Sequence, residues 1–190
     1  MMKLFFNPFE KYSEKIFIPL GLAVLLLGSF LASFCSANFD GLLDLHFSAH
    51  AVSFVEIMLQ NIINLLTIGF LLYAAGYLVN SKVRVVDIFS TVLVARIPFY
   101  FVALFNVSHK LSFKEDATLQ EIQSFAMDNL FLLLGFGLLV LLMVVWMVAL
   151  LYNGYKVATN AKGTTPIVLF ISAVLFSEII SKLIIYTLFL

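Results

Sequence analysis

Charged residues are scarce in this 190-residue chain, because Asp, Glu, Lys and Arg together make up only 12% of it. Soluble globular domains contain roughly 25%. The eleven basic and eleven acidic residues give a formal net charge of zero, and the basic residues are scattered along the chain. Since nucleic-acid-binding proteins concentrate basic residues on one surface, we expect no nucleic-acid partner.

Cysteine and catalytic motifs are also lacking. The single cysteine, Cys35, lies in an apolar run and cannot form an internal disulfide. The sequence has no His-Glu-x-x-His motif, no Ser/His/Asp or Cys/His pattern and no glycine-rich phosphate loop. We therefore expect a protein that is not an enzyme, with no catalytic residue and no cofactor.

Long hydrophobic runs are what the chain does have, since 63% of its residues are hydrophobic against roughly 45–50% in soluble domains. The runs are continuously apolar and about 20 residues or longer, whereas strands of a membrane β-barrel would alternate. The sequence predicts an all-α polytopic membrane protein, a single transmembrane domain over residues 1–190. Its five spans are expected at about 16–36, 52–79, 85–106, 128–152 and 166–190.

The N-terminal residues predict a helical lead-in at residues 7–15 rather than a signal peptide. The first apolar run is longer than the 7–15 residues of a signal-peptide core. Asn7, Pro8 and Glu10 match a helix N-cap, a proline at the first helical position and a capping-box acid. In the long connection at 107–127, Leu119, Ile122 and Phe125 have helical spacing, which predicts a short interfacial helix.

The distribution of Lys and Arg predicts the orientation, because cytoplasmic loops carry the excess. Seven lie on the side of the N-terminus and two on the other side. We therefore predict a cytoplasmic N-terminus and a C-terminus on the outer side. The two sets are Lys3, Lys11, Lys15, Lys82, Arg84, Lys156 and Lys162 against Lys110 and Lys114.

Polar residues inside the spans are the informative positions, since an ionised group at the centre of a membrane helix costs at least ~2.5–3.5 kcal/mol. On the second span, a stripe of polar residues runs from Ser53 to Thr67. The third span carries Arg96 and Pro98, and the proline favours a kink. We expect a buried polar network with ion pairs, made of Glu56, Gln60, Asn64, Arg96, Glu178 and Lys182.

Depth suggests how the charges pair. Arg96 and Glu178 lie ~17 and ~18 Å along their helices at 1.5 Å per residue, so both are near the midplane. We hypothesise that Arg96 pairs with Glu178 and Lys182 with Glu56, and that exchanging Arg96 and Glu178 in a double variant restores folding. The alternative is a polar pathway for a proton, an ion or a small polar solute.

The first outer loop raises the question of a metal. Asp40, Asp44, His46 and His50 fall within eleven residues, and two histidines four apart on a helix could share a Zn²⁺ ion. Three ligands with supporting partners are not identifiable, so these four are weak candidates and we expect no bound metal.

Four short sequences along the chain carry a resemblance to a known family. They are Asn7-Pro8-Phe9, Phe39-Asp40-Gly41 with Asp44-Leu45-His46, Ala95-Arg96-Ile97-Pro98 and Glu178-Ile179-Ile180-Ser181-Lys182. In this order, the chain resembles the Yip family of five-span membrane proteins (Ypt/Rab-interacting proteins), specifically its short bacterial members.

The resemblance implies a five-span fold and a role in membrane organisation or traffic, without an established activity for the bacterial members. Eukaryotic relatives act with Rab-type GTPases through a longer cytosolic tail. That tail and the family's Asp-Leu-Tyr-Gly-Pro box are missing here, so we do not expect Rab-type binding. A bacterial cytoplasmic (inner) membrane is the expected location.

Two functions remain open on the sequence. The first is a non-enzymatic protein that packs against other membrane proteins or itself within the lipid bilayer, for which Gly28, Ala32 and Ser36 offer a small-residue face. The second is a small transporter or channel, with the stripe from Glu56 to Thr67 lining a cavity. A continuous cavity would favour transport, and a dry, close-packed interior would favour the first function.

Overall fold

The computed structural model describes residues 2–111 and 117–189, and side chains from Leu4 onward. These residues form eight α-helices and one two-stranded antiparallel hairpin. The elements are α1 (Met2–Phe6), α2 (Glu14–Phe34), β1 (Ala37–Asn38), β2 (His46–Phe47), α3 (Phe54–Val79), α4 (Val85–Ala95), α5 (Ile97–Ala103), α6 (Leu119–Asp128), α7 (Leu130–Thr159) and α8 (Thr165–Phe189). Lys114, residues 115–116 and Leu190 lie outside the described residues, as does the side chain of Lys3.

Among the described residues, five helices are long and apolar enough to cross a membrane, which confirms the predicted helical fold with five membrane-spanning helices. They are α2, α3, α7, α8 and the continuous run Val85–Asn106, which contains α4, α5 and a 3₁₀ turn at Leu104–Asn106. The run Val85–Asn106 is interrupted at Arg96, two residues before Pro98. Because proline has no N–H to donate, the interruption is where the sequence favours it.

Side-chain caps are present at the starts of two helices, α3 and α6. Ser53 Oγ accepts a hydrogen bond from the N–H of Glu56 and caps α3. Thr118 and Glu121 form a reciprocal capping box at the start of α6, the predicted short helix.

The predicted lead-in at 7–15 is wrong in detail. Pro8–Glu10 is a single 3₁₀ turn, and the Asn7 amide donates to the Glu10 carboxylate. The first long helix begins at Glu14.

The helix Val85–Asn106 occupies the centre of the bundle, and 72% of its most apolar 18-residue stretch is buried. It packs on α2 and α7 through glycines: a Cβ on Gly28 would lie 2.6 Å from the Tyr100 ring, and one on Gly154 would lie 2.2 Å from Thr91 Cγ2. Ala32 and Ser36 are buried too. The small-residue face predicted for contact with a partner therefore packs inside this chain.

Side-chain contacts define the two ends of the bundle. At the N-terminal end, Arg84 Nη2 lies 3.5 Å from Glu14 Oε1, and Asn80 Nδ2 donates to the carbonyl of Thr159 over 3.2 Å. The opposite end carries residues 35–53 and 107–111. The candidate site lies there, where α2 ends and the chain turns back into the bundle.

Candidate functional site

Residues 35–42 form a non-helical segment that is buried along its whole length. Phe39 and Leu42 are fully buried among the apolar side chains of the core. The sequence places this segment in an outer loop, but the structure inserts it between α3, α5 and α8. We call it the inserted segment. Buried backbone without helical hydrogen bonds requires other partners, and the polar side chains of the helices provide them.

Amide side chains of α3 bind the centre of the inserted segment. The N–H of Phe39 donates to Gln60 Oε1 over 3.0 Å, and Asn64 Nδ2 donates to the carbonyl of Phe39 over 3.1 Å. Gln60 Nε2 also donates to Asn38 Oδ1 at 3.0 Å. Both amides are buried, so the predicted polar stripe exists at these positions and is occupied by the protein's own backbone.

Asn106, the last residue of the helix Val85–Asn106, binds the start of the inserted segment. Asn106 Nδ2 donates to the carbonyl of Cys35 over 3.0 Å, and its Oδ1 accepts the N–H of Leu111 at 2.9 Å. Asn106 is completely buried. A single amide therefore ties together the two connections at the opposite end of the bundle.

Arg96 binds the far end of the inserted segment and is itself fully buried. Nη1 donates to the carbonyl of Leu42 at 2.9 Å, and Nη2 donates to Asn61 Oδ1 at 3.1 Å. The guanidinium carbon lies 5.5–5.8 Å from the ring centroids of three aromatic residues, Phe39, Phe99 and Tyr100. Aromatic faces attract a desolvated cation, so the site stabilises a charge that would otherwise be expensive.

Glu178 binds the next backbone group along the chain. Its Oε2 accepts the N–H of Leu43 over 2.7 Å. That N–H and the Leu42 carbonyl bound by Arg96 belong to the same peptide group. The predicted direct pair between Arg96 and Glu178 is therefore wrong. The two charges are linked instead through this peptide group, whose N–H donates to the carboxylate and whose oxygen accepts from the guanidinium.

Gly41 leaves room for Glu178 beside this peptide group. A Cβ on Gly41 would lie 2.5 Å from Glu178 Oε1 and 2.8 Å from its carboxyl carbon. A side chain at position 41 would therefore displace the carboxylate from its hydrogen bond to the N–H of Leu43.

The second predicted pair is also replaced. Lys182 forms its ion pair with Asp44, in the connection after the inserted segment, rather than with Glu56. Both partners are substantially exposed, at 55% and 42% of their side-chain surfaces. Glu56 instead borders a cavity at the end of the bundle that carries residues 35–53. The predicted network thus contains a buried part, Gln60, Asn64 and Arg96, and a less buried part, Glu56, Glu178 and Lys182.

The histidine and acid residues of the connection form a pair rather than a metal centre. His46 Nδ1 is hydrogen-bonded to Asp40, which raises the pKa of His46 despite partial burial of the ring. On its other side, Nε2 lies 3.4 Å from Asn38 Nδ2. Within the described residues, no three His, Cys, Asp or Glu side chains are grouped to hold a metal, including the weak candidates Asp44 and His50.

Two polar cavities of about 200 Å³ lie at the two ends of the bundle. The one at the opposite end is bordered by Asp40, His46, His50 and Glu56, and the one at the N-terminal end by Tyr12, Glu14, Arg84 and Thr91. The two share no lining residue. Among the cavities formed by the described residues, neither connects one end of the bundle with the other.

Comparison with protein-family models, curated proteins and solved structures finds no match to this chain.

Two residues of the site are absent from the sequence prediction. Asn61 lies one position after Gln60, and a step of 100° takes it off the predicted stripe toward Arg96 and Ser29. Asn106 closes the third span, where an amide is equally typical of the membrane interface. The sequence indicates only that part of this connection is buried, because Phe39, Leu42 and Phe47 are unusually apolar for an exposed loop.

Proposed function

We propose that this chain is a non-enzymatic multi-pass membrane protein that acts by packing against other membrane components, in a membrane-organising role of the kind its resemblance to the Yip family implies. The observation that carries the proposal is the use of the polar interior. Gln60, Asn64, Arg96 and Glu178 bind backbone groups of residues 39–43, and the cavity that Gln60 also borders lies at one end of the bundle and shares no lining residue with the cavity at the N-terminal end.

This use of the polar groups argues against the alternative function of a transporter or channel. A conduction pathway needs polar groups that face water and can exchange partners. Here an apolar and aromatic layer of Phe39, Phe99 and Tyr100 surrounds the buried guanidinium of Arg96. The interior therefore favours a fixed scaffold over a route for a solute.

Flux measurements on reconstituted protein test the proposal. Proteoliposomes with an internal pH dye and an imposed potassium gradient should leak protons and potassium no faster than protein-free vesicles. A Glu56→Gln, Thr67→Val double variant, which changes the predicted stripe but keeps the hydrogen bonds to the inserted segment, should not change that rate. Flux above the protein-free rate that this double variant abolishes would favour the transporter instead.

Contact with other membrane proteins is tested separately. A photo-crosslinking residue at Leu138 or Leu142, which lie on the exposed face of α7, should form protein adducts in native membranes. The same residue at buried Ile68 provides the control and should give none. Adducts with lipid alone at both exposed positions would contradict the packing role.

We further infer that the N-terminal end faces the cytoplasm of a bacterial inner membrane, because Lys82, Arg84, Lys156 and Lys162 all lie there. Cysteine labelling tests this orientation, since the native Cys35 is fully buried and gives little background. In intact cells, a membrane-impermeant maleimide should label an Ala49→Cys variant and spare a Lys162→Cys variant. The reverse pattern would contradict the orientation.

A further inference from the structure

An apolar cleft separates α7 and α8, although only five residues join them. The two helices make almost no direct backbone contact along their length. Near the N-terminal end they meet through the rings of Tyr152 and Phe170, whose centroids are 5.2 Å apart. The cleft has a volume of about 510 Å³ and is lined almost entirely by hydrocarbon, from Val144, Val145, Val148, Ala149, Tyr152, Ile167, Phe170 and Ile171.

The cleft has the depth of one bilayer leaflet. Val144 lies ~22 Å along α7 from its end at Thr159, and Ile167 lies ~3 Å into α8, at 1.5 Å per residue. One leaflet contributes about half of the ~30 Å hydrocarbon thickness. The cleft therefore begins near the headgroup level and reaches toward the middle of the membrane.

A polar groove with two lysines borders the part of α7 that follows the cleft toward the N-terminal end of the bundle. Lys156 is one turn beyond Tyr152 on α7, and Lys162 lies in the connection that joins α7 to α8. Both are exposed. The groove they border is about 530 Å³ and also includes Asn7, Asn153, Asn160 and one acid, Glu10. The first turn of α8 adds the partial positive charge of a helix N-terminus.

We propose that the cleft and the groove together bind one anionic glycerophospholipid from the leaflet at the N-terminal end. One acyl chain lies between α7 and α8, and the phosphate lies at Lys156 and Lys162. This proposal is independent of the membrane-organising role. Charge complementarity selects an anionic headgroup, because two lysines face a single acid in the groove.

The size of the cleft favours a lipid over a helix from a second copy. A helix about 10 Å wide, laid along the ~12 Å from Val144 to Tyr152, would occupy on the order of 900 Å³. The cleft has little more than half of that volume. A narrow, flexible hydrocarbon chain fits this shape, and a rigid helix does not.

Native mass spectrometry of the detergent-solubilised full chain tests the proposal, with dioleoyl-phosphatidylglycerol as the probe and dioleoyl-phosphatidylcholine as the uncharged comparison. The wild type should retain one phosphatidylglycerol more tightly than any phosphatidylcholine. A Lys156→Ala, Lys162→Ala variant should bind the first phosphatidylglycerol about 30-fold more weakly, from the contribution of each lysine to anionic-lipid binding.

Two further variants keep the outcomes distinct. Lys11→Ala, Lys15→Ala removes the same charge from the same end of the bundle and should leave the first binding step unchanged. Ala149→Phe fills the cleft without changing charge and should remove the retained lipid. Equal retention of both lipids, unchanged binding in the Lys156, Lys162 variant or in Ala149→Phe, or a lipid-free dimer abolished by Ala149→Phe, would each overturn the proposal.

Discussion

The peptide group between Arg96 and Glu178 predicts the outcome of a charge exchange. A direct ion pair is symmetric, so swapping its two residues restores the attraction. The intervening peptide group is not symmetric, because its oxygen faces Arg96 and its N–H faces Glu178. After the exchange, a carboxylate would face the Leu42 carbonyl and a guanidinium would face the Leu43 N–H. The double variant Arg96→Glu, Glu178→Arg should therefore fail to fold, in contrast to the rescue expected for a direct pair.

The size of the loss follows from the hydrogen bonds involved. Arg96 donates two and Glu178 accepts one. Hydrogen bonds to charged groups contribute about 1.5–3 kcal/mol each, so losing all three costs roughly 5–9 kcal/mol. Typical total stabilities are about 5–15 kcal/mol. The exchange should thus remove most or all of the folding free energy.

Fluorescence-detected size-exclusion chromatography of a tagged protein, after heating, measures this effect. Both single exchanges and the double exchange should lose the monodisperse peak. Glu178→Gln is the matched control: it keeps an acceptor for the Leu43 N–H and should retain the peak with a lowered melting temperature. A double exchange that melts near the wild-type temperature while both single variants fail would refute the bridging geometry.

The remaining predictions concern stability. Gly41→Ala should destabilise the protein by about 1–3 kcal/mol, because its Cβ meets the Glu178 carboxylate; Gly137→Ala, where nothing lies within 4 Å, should instead raise the melting temperature through helix propensity. The raised pKa of His46 makes its contact with Asp40 fully stabilising below the ordinary pKa of about 6.5 and progressively lost as the pH rises through the raised value. Thermal unfolding from pH 5.5 to 8.5 should show the free energy of unfolding decline by less than about 1 kcal/mol, since the ring is partly exposed. Asp40→Asn should remove this pH dependence. An unchanged slope in that variant would contradict the assignment to His46 and Asp40.

The membrane helices could be predicted from the sequence because each corresponds to one continuous apolar run. The break near Pro98 and the matching depths of Arg96 and Glu178 were predictable for a similar reason, since both depend on position along one helix. The partners of the charges were not predictable. Asp44, which pairs with Lys182, and the peptide group that bridges Arg96 to Glu178 both belong to a connection between helices, and neither helical periodicity nor depth locates such a connection.

The inserted segment could not be predicted for a related reason. An irregular segment enters a membrane protein only when side chains distant in sequence satisfy its backbone. Those side chains, among them Gln60, Asn64 and Asn106, are more than twenty residues away from the groups they bind. From the sequence they are equally consistent with a polar pathway, and only their three-dimensional contacts distinguish the two.

The burial of residues 35–42, maintained by polar side chains of the helices, is the central claim, and alkylation of Cys35 in intact bilayers tests it most directly. The rate of reaction with a small maleimide is compared with that of Ala49→Cys in a Cys35→Ser background, each normalised to the unfolded protein. Cys35 should react at least tenfold more slowly than the exposed cysteine at position 49, and Asn106→Leu should speed its reaction. Equal rates at the two positions in the otherwise unaltered chain would contradict the insertion.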